Sequence, residues 1–495
     1  MQATGTPHAS RMDERITADL CVIGAGSGGL SVAAGAVQMG ASVVLIERGR
    51  MGGDCLNYGC VPSKALIAAA RAAQAHRASG ALGVVGDEPA IDYAAVMDHV
   101  QRTIAAIAPH DSQERFEGLG VRVLRAQARF TGPAEVAAGG HTVAARRFVI
   151  ATGSSPAVPP IPGLDAAPYL TNETIWENRV LPATLAVIGG GPIGVELAQA
   201  HRRLGSRVVL LEAATVLGRE DPEIAAVALE RLRAEGVEIR EGVSIAQVSG
   251  AQVSGAQVSG EVGAVRIALA DGEVLEATHL LVATGRRANV DDLGLDAAGV
   301  RHDAGGIAVD SGLRSVTNRR VYAVGDVAGG MQFTHLANYH AGLVVRSALF
   351  RLPVRARDGH IPRVTFTDPE IAQVGLTEAE ARERHGDAVE VHRVSFADSD
   401  RALTEAAAEG LVKAVIGRRG RILGCSIVGA RADELIHPWA LALDAGLHIK
   451  ALASYVAPYP TLGEASKRAA GGYYAARLFG NRWIRLAVRL LARLG

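Results

Sequence analysis

Val22 to Glu47 reads VIGAGSGGLSVAAGAVQMGASVVLIE, and Val187 to Glu212 reads VIGGGPIGVELAQAHRRLGSRVVLLE. The two stretches align without a gap, Val22 with Val187 and Glu47 with Glu212. Each opens as an apolar strand, passes through G-x-G-x-x-G (Gly24, Gly26, Gly29; Gly189, Gly191, Gly194), continues as a helical stretch and closes on a second apolar strand ending in a carboxylate. That order predicts two βαβ units of Rossmann type, hence an α/β fold. The glycines let backbone amides approach a pyrophosphate at a helix N-terminus, and Glu47 and Glu212, which end the second strand of each unit, can accept from an adenosine ribose. One unit is expected to hold FAD and the other NAD(H). Glu212 favours NADH, because a carboxylate bonds a free 2′-hydroxyl and repels a 2′-phosphate; Arg207 and Arg219 nearby leave room for NADP(H).

Around this repeat, 495 residues with 51 basic and 51 acidic side chains describe a multidomain chain whose balanced charge gives no footing for nucleic acid. Residues 1–15 lack the apolar core of a secretory signal and are expected to be disordered. No run of about 18 apolar residues could span a bilayer, so the expected location is cytoplasmic.

Gly52 to Leu66 reads GGDCLNYGCVPSKAL and places Cys55 and Cys60 directly after the first repeat. Four cysteines are too few for a secreted disulfide framework, so this pair points to redox chemistry. In a regular helix, residues five apart rise about 7.5 Å, beyond disulfide reach, so the segment must fold back. Gly59 is expected to supply an unusual dihedral there, and Pro62 suits the first turn of the next helix. The competing reading is a metal site, but no second cysteine pair or nearby histidine completes a zinc set. Cys21 and Cys425 stand in apolar contexts and are expected to be buried. Lys64 is one of only four lysines in an arginine-rich chain. Its compact charge could balance a reduced flavin, with Glu196 as its partner.

These motifs resemble the pyridine nucleotide-disulfide oxidoreductases, the group that contains dihydrolipoamide dehydrogenase, glutathione reductase and mercuric reductase. The resemblance spans about residues 16–470. It extends to ATGSSP (Ala151–Pro156), ATGRR (Ala283–Arg287) and VYAVGDVAGG (Val321–Gly330). It implies that Gly53, Lys64, Gly153, Asp326, Thr334 and His335 join the first fingerprint at FAD, and that Gly285 joins the second at NAD. Cys60 would face the flavin and Cys55 the acceptor. It further implies a split FAD domain (16–158 and 284–352), an NAD(P) domain (159–283), an α+β dimerisation domain (353–470) and a homodimer with shared active sites.

One departure bears on the acceptor. Dihydrolipoamide dehydrogenase and glutathione reductase carry a C-terminal His-Pro with a glutamate five residues after the histidine, a catalytic base from the partner subunit. Here the segment is Tyr459-Pro460-Thr461-Leu462-Gly463-Glu464. A histidine near pKa 6.5 is a competent base at neutral pH, whereas a tyrosine near 10 is phenolate in only about one molecule per thousand. Tyrosine here resembles the mercuric reductases, whose soft metal ion needs no such base. Those enzymes also supply a C-terminal cysteine pair, and nothing beyond Cys425 provides one. His437 and His448 are candidate substitute bases. Three readings follow: a disulfide reductase of mercuric or lipoamide-dehydrogenase type passing electrons to an unassigned thiol, disulfide or metal-ion acceptor, a dihydrolipoamide dehydrogenase with a rearranged proton path, and a membrane-docked redox partner of another protein.

Two segments stand outside this framework. Residues 246–260 are three copies of AQVSG, expected as a surface loop or hairpin without chemistry. Residues 471–495 are expected to form one cationic amphipathic helix. Its Arg482, Arg485, Arg489 and Arg493 are set opposite Trp483, Leu486, Leu490 and Leu494, a composition suited to peripheral membrane contact through residues 475–495.

Overall fold

Val43–Glu47 (VVLIE) is apolar at every position but the last, and its four apolar residues are all buried. An unbroken apolar run of this kind belongs to a parallel strand covered on both faces. The computed structural model describes residues 14–250 and 264–493, and in it this strand, β2, pairs in parallel with β1 (Glu14–Ile23). The helix α1 (Ser27–Gln38) crosses between them. Seven strands form the sheet. Its main path runs Arg122–Arg125, β2, β1, His141–Ile150, Glu135–Ala138, Arg129–Gly132, and Val321–Ala323 pairs with His141–Ile150. Glu14 and Arg15, expected within the disordered N-terminus, are the first residues of β1 and pair with His141 and Thr142. The rest of that expected segment lies outside the described residues.

The chain divides into two compact units. The first comprises the described residues up to Pro62 together with His99–Ala157 and Gly285–Ala356. The second comprises Ser63–Asp98, Val158–Thr284 and the chain from Arg357 onward. The second unit therefore takes in 63–98, a segment that the sequence places with the FAD domain.

Within the second unit the motif recurs as β3 (Thr184–Ile188), α4 (Pro192–Arg203) and β4 (Arg207–Leu211), in a four-stranded parallel sheet. Its register repeats the first: Val22 faces Leu45, and Val187 faces Leu210. The first AQVSG copy lies in the strand Ile245–Gly250, whose Val248 is buried and which pairs antiparallel with Val265–Leu269. The other two copies lie outside the described residues. The C-terminal part of this unit is a five-stranded sheet, running Arg363–Thr365, Glu370–Gly375, Ile422–Gly429, Leu411–Ile416, Glu390–Ser395. Helices pack on it around the fully buried Trp439.

The terminal segment is two helices rather than one. Gly463–Phe479 begins well before residue 471, and Arg482–Leu491 restarts after Asn481, whose side chain accepts from the Trp483 and Ile484 amides. Among the described residues, no helix is long and apolar enough to cross a membrane.

Candidate active site

The three glycines of each fingerprint do three different jobs, and both repeats divide them alike. Gly24 and Gly189 have positive φ, 103° and 110°, and a Cβ at either would lie 2.4 Å from a carbonyl oxygen, that of Ala151 or Ala283. Gly29 and Gly194 would place a Cβ 1.9 Å from the carbonyl of the first glycine, so only glycine lets the helix press against its strand. Gly191 has nothing within 4 Å of such a Cβ, and Gly26 has only the Cα of Gly53 at 3.8 Å. The middle glycine of each turn thus leaves room at a helix N-terminus, wholly open at Gly191 and bounded by Gly53 at Gly26, the cradle a pyrophosphate requires.

The acids close the same loops. Glu47 accepts from the Ala25 and Gly49 amides, both at 2.6 Å. Glu212 accepts from Gly190 at 2.7 Å and Ala214 at 2.8 Å. Each carboxylate oxygen keeps a second lone pair for a ribose hydroxyl. Arg207 is turned to Glu238 at 3.2 Å, which engages one of the two arginines that left room for a 2′-phosphate.

In the first unit, Gly52 and Gly53, with φ of 87° and 60°, turn the chain into α2 (Gly53–Asn57). The amides of Tyr58 and Gly59 both bond to the Asp54 carbonyl, at 2.8 and 2.7 Å, and α3 (Cys60–Ala78) starts at once, with Pro62 in its first turn. Two short helical turns thus fold Cys60 back toward Cys55. Gly59 is needed for space rather than for its dihedral: its φ is not positive, and a Cβ there would lie 2.8 Å from Asp54 Oδ2. The two cysteines are held as thiols joined by a hydrogen bond. That bond, then burial, then the Cys60 charge raise the Cys55 thiol well above its usual range, while the Thr334 hydroxyl pulls it down. Thr334, first residue of the helix Thr334–Phe350, also sets its hydroxyl 3.3 Å from Cys60 Sγ. The sequence assigns Thr334 to FAD alone; its contact with the sulfurs is visible only once distant segments are brought together. His335 beside it stacks on Phe333.

A residue that sequence reasoning quotes only within a motif organises this region. Arg286 is nearly buried and pairs with Asp54 at 3.0 Å, while its Nε and Nη2 donate to the Ser154 hydroxyl and carbonyl, both at 2.7 Å. Ser154 in turn donates to Asp326 Oδ2 at 2.5 Å. Burial raises the Asp326 carboxyl, against the pull of that hydroxyl and of Arg286. Gly153 and Gly285 both take positive φ beside this chain of contacts.

In the second unit, Lys64 Nζ donates to Glu196 Oε2 at 2.9 Å and lies 4.1 Å from the centre of the Phe366 ring. Glu196 is buried, and its other oxygen accepts from the Phe366 amide at 2.9 Å. A buried carboxylate paired and bonded in this way holds the ammonium in one place. Tyr459 is 70% exposed, and its hydroxyl donates to Asp400 Oδ2 at 2.8 Å, which raises the phenol above its ordinary value. Glu464 accepts from the Thr461 amide at 3.4 Å. Neither candidate substitute base is set up for proton transfer beside Tyr459: His437 pairs with Glu434 at 3.5 Å, and His448 bonds the Arg419 carbonyl. Cys21 and Cys425 are buried, which raises both thiols. Among the described residues, no group of three or more His, Cys, Asp or Glu could hold a metal ion.

Residues 18–341 match the family described as pyridine nucleotide-disulphide oxidoreductase, and residues 361–470 match its dimerisation domain. The chain belongs to this family. It is an FAD-dependent oxidoreductase that also binds NAD(P)H, and it carries the family's dimerisation module. It is 38% identical over 461 residues to a mercuric reductase of Streptomyces lividans, covering 91% of this chain and 95% of that protein. It is 37% identical over 477 residues to a dihydrolipoyl dehydrogenase of Thermus scotoductus, covering 92% and 97%. Among solved structures, LpdA of Mycobacterium tuberculosis superposes with a TM-score of 0.83 at 25% identity, over 93% of this chain and 99% of that one. The Cu(II) complex of the HOCl-induced flavoprotein disulfide reductase RclA of Escherichia coli gives 0.80 at 27%, over 91% and 98%.

Proposed function

We propose that the protein passes two electrons from NADH through FAD to the Cys55–Cys60 pair and on to a soft metal ion of the mercuric type. Bound FAD supplies the two-electron relay between nicotinamide and sulfur. The chain's own residues set the rest. The repeat 22–47 holds FAD, with Gly153 and Asp326, and the repeat 187–212 holds NADH, with Gly285. Lys64, fixed by Glu196, sits one helical turn beyond Cys60 on α3 and balances charge at the flavin. Cys60 faces the flavin and Cys55 faces the acceptor, with the Thr334 hydroxyl steadying both sulfurs. In a homodimer, Tyr459 and Glu464 of one subunit would reach the cysteines of the other.

The observation that carries the choice of acceptor is the Tyr459–Asp400 bond. A phenol bonded to a carboxylate is phenolate even less often than a free one, so proton abstraction from a dithiol substrate has no efficient agent there. A thiophilic cation needs none, because it displaces thiol protons as it binds. The similarity to mercuric reductases supports this reading, and the RclA complex with Cu(II) makes copper the second cation to test. The dihydrolipoyl dehydrogenase relative keeps lipoamide as the alternative acceptor.

The test is NADH and NADPH oxidation by the purified yellow protein with mercuric ion, cupric ion, lipoamide, glutathione disulfide, quinones or oxygen. Mercury-dependent oxidation that prefers NADH, and that disappears in Cys60→Ser together with any long-wavelength thiolate-to-flavin band, is expected. Rapid lipoamide turnover would overturn the argument from Tyr459. Turnover with quinones alone would move the function to the redox-partner reading.

A further inference from the structure

After Glu464 the sequence has seven basic residues and no acidic side chain, in a protein whose total charge is balanced. Three of the seven, Arg482, Arg485 and Arg489, lie on the terminal helix, and Arg493 follows two residues after its end. They follow one another at intervals of three and four, so at 3.6 residues per turn the three on the helix form a single stripe, whose spacing Arg493 continues. Ile484, Ala487 and Leu491 lie opposite, flanked by Trp483, Val488 and Leu490; Leu486 falls beside the arginines, which corrects its expected place opposite them. Every described residue from Arg477 onward is exposed, with Trp483 and Leu491 each at 65%. Among the described residues, no carboxylate pairs with any of the four arginines. The helix therefore presents an uncovered apolar face and an unanswered cationic stripe, each of which asks for a partner.

We propose that this helix docks the protein on bilayers containing anionic phospholipid, lying in the headgroup plane with its apolar face sunk among the acyl chains. A second copy of the chain could cover the apolar face but would leave both arginine stripes without counter-charge, whereas an anionic bilayer answers both demands. The match to the family's dimerisation domain also ends at residue 470, ahead of the helix. Trp483 lies on the flank that would meet the headgroup boundary, where an indole is well accommodated.

Trp176 and Trp439 are buried, so Trp483 is the chain's one exposed tryptophan and reports on docking. Full-length, FAD-loaded protein is floated with vesicles of phosphatidylcholine alone or mixed with phosphatidylglycerol, and tryptophan emission is recorded. Flotation with the anionic vesicles only, release by salt and a blue shift are expected. Arg485→Gln with Arg489→Gln should weaken partitioning about thirtyfold, since each basic side chain near such a surface contributes about fivefold. Ile484→Ser with Leu491→Ser should abolish the blue shift. Both variants should oxidise NADH in solution as the parent does, which separates docking from turnover. Equal flotation with neutral vesicles, or none with anionic ones, overturns the proposal. If instead the serine variant changes the oligomeric mass in solution, the face is a contact between copies and the proposal falls.

Discussion

The two repeats match in detail through the turn that follows the second strand, and then they part. Gly24 and Gly189 bond to the carbonyls of Ile46 and Leu211, and Gly52 and Leu217 bond to those of Ala25 and Gly190 at 2.9 Å, each pair at equivalent positions of the alignment. Even the left-handed backbone at Gly52 recurs at Leu217, where φ is 54°. Beyond that point the first repeat turns back on itself. A Cβ on Gly53 would lie 2.6 Å from the Gly26 Cα, so α2, which carries Cys55, starts directly against the cradle. Nothing approaches Gly191 in this way, and Arg219 and Glu220 stand where Asp54 and Cys55 would align. On the proposed assignment, the shared part is nucleotide binding and the divergent part is redox chemistry. Both repeats have a glycine at the point of parting, Gly53 and Gly218, but only Gly53 takes a positive φ, 60°.

The strongest way to break this comparison is to fill the middle glycine of each repeat. A Cβ at Gly191 meets nothing and one at Gly26 makes only ordinary contact with Gly53 at 3.8 Å, so Gly26→Val and Gly191→Val should both fold. Gly26→Val is expected to purify colourless and inactive. Gly191→Val should stay yellow and show a KM for NADH raised about tenfold or more, the cost of losing one or two charge-assisted hydrogen bonds of about 1.5–3 kcal/mol each. Absorbance at purification and steady-state kinetics decide it; a colourless Gly191→Val protein would exchange the roles assigned to the repeats.

A smaller effect should separate charge from packing at Lys64. Lys64→Met leaves the buried Glu196 carboxylate with only the Phe366 amide. Because the lysine side chain is 36% exposed, the loss is expected to be about 1–2 kcal/mol, below the range for a fully buried pair. Adding Glu196→Gln should recover much of the thermal stability and none of the rate of flavin reduction by NADH, which stopped-flow would show slowed in both variants. Recovery of the rate in the double variant would make the pair purely structural.

How much of this is legible in the sequence depends on whether a feature is local. The repeats, the fold-back between Cys55 and Cys60, the pairing of Lys64 with Glu196 and the burial of Cys21 and Cys425 rest on short-range pattern or on one charge in search of one partner. Arg286 has no role on sequence grounds, since its partners Asp54, Ser154 and Asp326 come from three separate segments of the chain and only folding collects them. The Tyr459–Asp400 bond is hidden for the same reason. At Gly59 the expected dihedral gives way to a need for space, because glycine offers both freedoms and sequence does not say which is used. The break at Asn481 is written locally, as Gly480 followed by an N-cap residue, but the periodicity of arginines and apolar residues on either side masks it.

The finest difference between the repeats is the proton on Cys55, which has no counterpart at Glu220. In the dithiol state the hydrogen bond with Cys60 is the first cause of its raised pKa, ahead of burial. Alkylation of Cys55 by iodoacetamide, followed by peptide mass spectrometry, should therefore stay slow through neutrality and rise only above the pH of an ordinary thiol near 8.5. Cys60→Ala removes the leading cause, so the profile should move to lower pH; Thr334→Val removes the one group that favours the thiolate and should move it slightly higher. If Cys60→Ala leaves the profile in place, burial sets the proton and the sulfurs do not act as a pair. If it moves as expected, Cys55 is a thiol that keeps its proton until something stronger than water displaces it. A thiophilic cation does so, and a disulfide attended only by a carboxylate-bonded phenol does not.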